Sequence, residues 1–428
     1  MAQGAFYTGL SGLQTHANAI EVIGNNLANV NTVGFKSSRA NFADFFNVAS
    51  GHIGGSGSTN QVGLGAGTMS IQQLFHQGAL QPTEVETDLA IQGNGFFNLK
   101  TADGLSVYTR AGNFSFDNLG YLVDPSGNRL QGYNTKDAEG NIIPTGTLGD
   151  IQVATGLTAP PETTSFFRMN MNLDAGEDLT TEWRPDVPIH DALGAEHSMA
   201  IVFNPVDSDS DGTLDSWTWQ ARLSWDDVAA SRGAGDPDYY LVGSGTMDFD
   251  GTGKLNSPAA NVSLTLPAWA NGASGQTVEW QLYDDNNDAV VTGYAAKTAN
   301  NALNVNGYGV GRLHSLSIND DGLISGVFTN GQTLQLSQIS MATFNNPDGL
   351  FRRGDNTYLA SVGSGAPAVG TAQSGGRGAI IARALELSNV DITEQFTNMI
   401  VAERGYQSNS RVITTADEVL QETLAIKR

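Results

Sequence analysis

Nine residues near the middle of the chain are the best placed, by type and spacing, to do chemistry: Asp207-Ser208-Asp209-Ser210-Asp211-Gly212-Thr213-Leu214-Asp215. Carboxylates at positions 1, 3, 5 and 9 with glycine at position 6 match the start of a calcium loop, where alternate acidic oxygens surround a hard cation. The twelfth position, which should carry a bidentate glutamate, is Thr218, and strand-forming residues flank the segment where helices would be needed. The expectation is an acidic turn kept in solvent by its charge, with no metal and no cofactor assigned. The six histidines (16, 52, 76, 190, 197 and 314) contain no His-x-x-x-His or His–Glu pairing. His190 and His197 bracket a turn and read as an ordinary surface pair. Gly63-Leu64-Gly65-Ala66-Gly67 lacks the strand before and the helix after that a dinucleotide fingerprint requires. No Gly-x-Ser-x-Gly elbow is present, and no nucleophile–base arrangement stands out. A glycosidase carboxylate pair has no positive feature to support it among the abundant Asp and Glu. No catalytic residues are assigned, and the chain reads as a non-enzyme.

The elements that would position any such chemistry divide the chain sharply. Residues 3–28 place apolar or small residues at Phe6, Leu10, Leu13, Ala17, Ile20, Gly24 and Leu27, a 4-3-4-3-4-3 spacing that marks the seam of a helix packed along another helix. The last forty residues carry a similar stripe through Ile392, Phe396, Met399, Tyr406, Ile413, Ala416, Leu420 and Leu424. Gly4, Gly9, Gly12 and Gly24 each cost about 1 kcal/mol of helix propensity. The first helix should therefore form only by packing. Gly9, Gly12 and Ala17 also allow close helix approach. Ser388 or Asn389 can cap the second helix, with Asp391 and Glu394 at its positive end and Lys427 and Arg428 at its negative end. An antiparallel pair within one chain and packing between copies are both compatible with these stripes.

Between the helices the chain is rich in turn chemistry. Asp117-Asn118-Leu119-Gly120, Asp124-Pro125-Ser126-Gly127-Asn128, Asn319-Asp320-Asp321-Gly322 and Thr329-Asn330-Gly331-Gln332 separate short apolar runs, as hairpins require. All six tryptophans fall between 151 and 300, a window with 22 acidic against 6 basic residues. Such a segment reads as a separately cored domain inserted into another. The expected fold class is thus mainly β with α-helical termini, in a nested order. Residues 1–28 with 386–428 form a helical coiled-coil domain, and 29–67 form a glycine-rich linker. Residues 68–150 with 310–385 form a split β-domain, and 151–309 form the inserted acidic, Trp-rich β-domain. The small-residue stretch Val362–Gly378 reads as a second tether.

The 428 residues carry a net charge of −23 and no cysteine. The charge argues against nucleic acid, which needs clustered Lys and Arg, and against an anionic membrane surface. Thiolate and disulfide chemistry is excluded. No stretch approaches the roughly 18 apolar residues of a bilayer span. The first Lys or Arg is Lys36, so no basic n-region of a cleavable secretory signal is visible.

Four ordered blocks carry a family resemblance. The stretch 23–36 contains Asn25, Asn26, Ala28, Asn29, Thr32, Gly34, Phe35 and Lys36, and it resembles the signature of bacterial flagellar rod and hook axial proteins. So do 75–97 (FHQGALQPTEVETDLAIQGNGFF), 108–133 (YTRAGNFSFDNLGYLVDPSGNRLQGY) and 384–424. Length and one inserted acidic domain resemble the hook-building members more than the shorter distal rod members, and 189–223 is similar to the hook members' second domain. The resemblance implies a self-assembling tube subunit in the extracellular flagellum, a bending joint that transmits torque from rod to filament. Its terminal helices would line a central channel, with the split β-domain in the middle layer and the insert outside. The implied partners are further copies of itself, the rod, the hook cap, the hook–filament junction proteins and the flagellar type III export apparatus, which uses no cleaved signal. A distal rod component remains as a second reading. A third is a secreted carbohydrate-binding β-protein, since six tryptophans permit sugar stacking.

Overall fold

The computed structural model describes residues 2–45, 47–49, 61–154, 156–208, 210, 214–284 and 286–426. Helix α1 spans Ala2–Ala28 and helix α2 spans Ile392–Ile426, and the residues between them are mainly short strands. The chain divides into two compact units, Met1–Thr155 with Ser315–Gly326 and Leu334–Arg428, and Gly156–His314 with Val327–Thr333. No helix among the described residues is long and apolar enough to cross a membrane.

In the first unit, an antiparallel sheet places Arg129–Tyr133, Phe96–Lys100, Ser106–Thr109, Thr357–Leu359 and Phe351–Gly354 side by side. Two apolar clusters lie against it, one around Leu89, Phe97, Leu99, Leu130 and Ile339, the other around Phe96, Tyr108, Phe344 and Tyr358. The expected turns at 117–120 and 319–322 form as such: Gly120 and Gly322 take the positive φ that lets the chain reverse. The Asp117 side chain accepts the amides of Leu119 and Tyr121 at 2.9 and 2.8 Å.

Residues 29–67, expected as a linker, contain a strand. Ser38–Asp44 pairs antiparallel with Ala66–Gln73, Ser38 opposite Gln73. This hairpin lies on α1: the Thr15 hydroxyl donates to the Ala66 carbonyl at 3.1 Å, and Asn18 donates to Thr68 at 3.2 Å. Contacts with a distant helix, these bonds together with Ala40 on the Ala19–Ile23 cluster and Phe42 on His16, hold it, and a glycine-rich composition does not show them. Gly51, Gly54, Gly55 and Gly57 lie outside the described residues. The second expected tether, 362–378, holds the strand Ala368–Gly370 against Met341–Thr343. The Arg377 guanidinium ties its turn, donating to Thr371 O and Ser374 Oγ at 2.7 Å each.

The second unit is built on two five-stranded sheets. One is a meander from Asp186–His190 through Glu196–Val206, Ser216–Leu223 and Tyr240–Phe249 to Leu255–Ser257. The other centres on Phe166–Asn172. Alternate residues of both point into one core: Phe167, Met169 and Met171 from one sheet, and Trp217, Trp219, Ala221 and Leu223 from the other. Trp280 lies in it, stacked on Phe167 at 5.7 Å and edge-on to Trp219 at 5.2 Å. Trp217, Trp219, Trp269 and Trp280 are buried, so these four tryptophans fill a core and present no face to a sugar. The segment with calcium-like spacing falls partly outside the described residues, at 209 and 211–213. Around it, Asp215 accepts the Ser208 amide at 2.7 Å and Asp207 accepts the Ser210 amide at 2.6 Å.

His190 and His197 do not form a surface pair. His197 is buried, stacked on Trp269 with ring centroids 3.8 Å apart. Its Nε2 lies 3.1 Å from Asp191 and its Nδ1 lies 3.3 Å from Asp227. Turn spacing could not show this, because Asp227 and Trp269 arrive from distant sequence. Burial disfavours the Asp191 carboxylate. Hydrogen bonds from Asn271, His197 and the amides of Ala195 and Leu193 outweigh that, and its pKa falls from 3.8 to about 2.

Two outcomes follow. Trp280→Ala should destabilise the second unit by about 3–5 kcal/mol, read from chemical denaturation. For Asp191 the depressed pKa means its stabilisation is complete above about pH 4 and lost as pH falls towards 2. Asp191→Asn should flatten the acid limb of the stability–pH curve in that window; an unchanged limb would contradict the assignment.

Candidate assembly site at the paired terminal helices

Helices α1 and α2 run antiparallel. Proceeding along α1, Gly9 meets Ile413, Gly12 meets Asn409, His16 meets Gly405, Ala19 packs with Ala402, and Asn26 bonds Gln395. The contact face mixes small and polar residues with aliphatic ones, Ile23, Met399 and Ile413 among them. A Cβ on Gly12 would sit 2.6 Å from Asn409 Oδ1, and one on Gly405 would sit 2.5 Å from His16 Cε1. Gly12 and Gly405 therefore make room for the Asn409 and His16 side chains of the facing helix. Gly405, which propensity alone marks as a weak point of α2, accommodates the His16 ring.

The stripe anticipated from the sequence divides between two faces. Met399, Ile413 and Leu420 are half-buried on the α1 side of α2, with Ala416 buried. Leu13, Ile20 and Leu27 are half-buried on α1. Phe6, Leu10, Ala17, Ile392, Phe396, Tyr406 and Leu424 remain exposed, as do Tyr7, Ile400 and Val401. The intrachain seam of α1 instead runs through Gly9, Gly12, Thr15, Ala19, Val22, Ile23 and Asn26, a neighbouring face. An apolar stripe on each helix is thus left uncovered by the pair itself, a costly arrangement for an isolated molecule.

The 25–36 motif anchors the foot of α1. Asn25 and Ala28 are exposed, and Asn29 Nδ2 donates to the Asn25 carbonyl at 2.8 Å. Asn26 is buried: its Oδ1 accepts from Ser38 N at 2.8 Å, and its Nδ2 donates to Ser38 O at 2.7 Å and to Gln395 Oε1 at 3.1 Å. Thr32 closes the turn on Asn29 at 3.1 Å. Gly34 has φ +68°, and a Cβ there would lie 2.6 Å from the Ala111 amide, so no other residue fits. Phe35 is buried, and its carbonyl accepts from Asn389 N at 3.3 Å.

Lys36 is fully buried. Its ammonium donates to Glu386 Oε1 at 2.5 Å and to the His76 carbonyl at 2.8 Å. Glu386, also fully buried, receives Arg110 Nη1 at 3.3 Å and the Gly78 amide at 2.9 Å. Arg110 reaches the Gly93 carbonyl at 2.7 Å and lies 5.5 Å from the centre of the Phe96 ring. Burial pushes the Lys36 ammonium below the ordinary lysine range, opposed by contact with Glu386, and burial acts on Arg110 in the same direction. Two cations on one carboxylate therefore join the foot of α1, the body and the approach to α2. Sequence reading missed Arg110 and Glu386. The available signal was a glutamate inside the apolar run Ala384-Leu385-Glu386-Leu387, a charge that burial obliges to find a partner.

The cap of α2 also differs from expectation. Asp391 Oδ1 accepts the amides of Thr393 and Glu394 at 2.8 and 3.0 Å, making Asp391 the N-cap. Asn389 serves the body, accepting from Ser37 N at 2.7 Å and donating to Leu74 O at 2.8 Å. Among the described residues no group of three or more His, Cys, Asp or Glu could hold a metal ion.

Comparison with known proteins follows this division. Residues 6–36 match the model for the flagella basal body rod protein, and 381–426 match that for the flagellar basal body rod FlgEFG protein C-terminal. Residues 90–167 match the flagellar hook protein FlgE/F/G D1 domain, and 165–308 match the flagellar basal body protein FlaE D2 domain. Flagellar hook protein FlgE of Treponema pallidum is 33% identical, over 99% of both chains. That of Escherichia coli is 34% identical, over 97% of this chain and 98% of its own.

Glu386→Gln should cost about 3–5 kcal/mol, because it leaves two buried cations without their counter-charge. Arg383→Gln removes the exposed pair with Glu86 (2.7 Å) and should cost less than about 1 kcal/mol. Urea unfolding of the two variants compares them directly; equal losses would contradict the role given to Glu386.

Proposed function

This chain belongs to the flagellar hook protein family and is a structural subunit of the bacterial flagellar hook, and from that premise we propose that its copies polymerise through the outward stripes of α1 and α2 into a curved tube that transmits torque. The observation that carries the reading is the misfit between seam and stripe. The helix pair buries one face internally, while Phe6, Leu10, Ile392, Phe396, Ile400 and Leu424 stay 36–68% exposed. Burial of that surface between copies returns about 25 cal/mol per Å².

The nested plan belongs to the same proposal. The paired helices line the channel, the strands of the first unit form the surrounding layer, and the acidic second unit faces outward. Hook bending requires neighbouring subunits to change spacing on each turn. Continuous inner helices supply cohesion, and polar, wet outer contacts slide at low cost. The rod, the hook cap and the hook–filament junction proteins are the proposed neighbours at the ends of the tube. Export is proposed to proceed unfolded through the type III apparatus, in keeping with a first helix whose glycines make it dependent on packing.

Deletion of residues 1–28 should leave a chain that stays dispersed where the full chain forms tubes in negative-stain micrographs. Gly12→Val, which drives a side chain into Asn409, should weaken assembly at least tenfold in critical concentration. Tubes formed normally by the deletion variant would sink the proposal. A straight, rigid tube from the full chain would favour a distal rod role over a bending hook.

A further inference from the structure

The two ends of the helix pair differ, and the difference suggests how one copy meets the next. Extending the observed pairing, Ala2 lies roughly level with Leu420, and Gln421–Ile426 of α2 have no paired α1 position among the described residues. Gln421–Ala425 are exposed, and Leu424 is 68% exposed. At the opposite end, a cavity of about 310 Å³ opens between α1, α2 and the strand Ser38–Asp44. Ala19, Ile23, Phe42, Val401 and Ala402 are among its walls; Val401 is 63% and Phe42 49% exposed. His16 also lines it, and its Nδ1 is buried without a hydrogen-bond partner.

We propose that the projecting end of α2 from one copy seats Leu424 in this cavity of the next copy. The cavity is wide enough for one or two large aliphatic side chains and too small for a helix, so it suits a single knob. Charge agrees: Asp391 and Glu394 stand at the cavity, while Lys427 and Arg428 follow Leu424 in sequence. Arg39, also at the cavity, is engaged with Gln72 at 3.1 Å. A knob at one end and a hole at the other cannot pair with themselves. The contact is heterologous and builds an open, polar helical polymer rather than a closed dimer. The inference rests on the tube-forming reading above and specifies its axial contact.

The chain has no cysteine of its own, which makes the test direct. Residues 401 and 424 lie about 35 Å apart on one helix, and a disulfide needs Cα atoms within about 4.4–6.8 Å. Any disulfide in a Val401→Cys/Leu424→Cys chain must therefore join two copies. Oxidised tubes of this variant, or of Phe42→Cys/Leu424→Cys, should run as a covalent ladder on a non-reducing gel. Leu424→Ser should raise the critical concentration at least tenfold. Tubes without a ladder in either pair, or an unchanged critical concentration for Leu424→Ser, overturn the knob contact and leave the tube intact. Failure of the unaltered chain to form tubes removes both readings.

Discussion

The interaction on which the rest of this structure depends is the buried carboxylate of Glu386. It receives Lys36, eight residues after α1 ends, and Arg110, from the β-body, and it stands six residues before α2 begins. Two cations beside one carboxylate are expensive to take out of water unless every donor is aimed. The His76 and Gly93 carbonyls accept from the two cations and the Gly78 amide donates to Glu386, while the buried Arg110 Nε has no hydrogen-bond partner. The result fixes where both helices leave the body. Asn26 and Gln395 repeat the arrangement one turn further out, with neutral amides.

Above that foot the helices depart from the usual amphipathic arrangement. Surface helices normally hide their apolar stripe and expose the polar one. Here the pair buries a mixed face, with Gly9, Gly12, Thr15 and Asn26 beside Val22, Ile23 and Met399, and leaves much of the apolar stripe outside. This arrangement agrees with the proposed assembly of copies through the outward stripes. The second unit follows the ordinary rule. Four of its tryptophans, Trp217, Trp219, Trp269 and Trp280, fill a sandwich core.

Much of this was legible in the chain. Heptad spacing located both helices, Asp- and Asn-led turns located hairpins, and the tryptophan and charge window located a separately cored segment. The motif 25–36 marked the foot of α1. Less legible were partners that arrive from far away. Nothing local says that Lys36 meets Glu386, that Asp391 rather than Ser388 caps α2, or that His197 is wedged between Asp191, Asp227 and Trp269. The hairpin at 38–44 and 66–73 was hidden because it packs on α1, a contact that local composition does not show.

The stripe of Phe6, Leu10 and Leu13 shows where the boundary lies. Sequence periodicity alone determined that α1 has an apolar face and therefore must pack, because 3.6 residues per turn brings those positions together whatever the surroundings. It could not determine against what. Only the tertiary structure decided that α2 meets the adjacent face, since that choice turns on Gly9, Gly12 and Gly405 allowing backbones closer than leucines would. Hydrophobic pattern records the need for burial, and steric fit selects the partner.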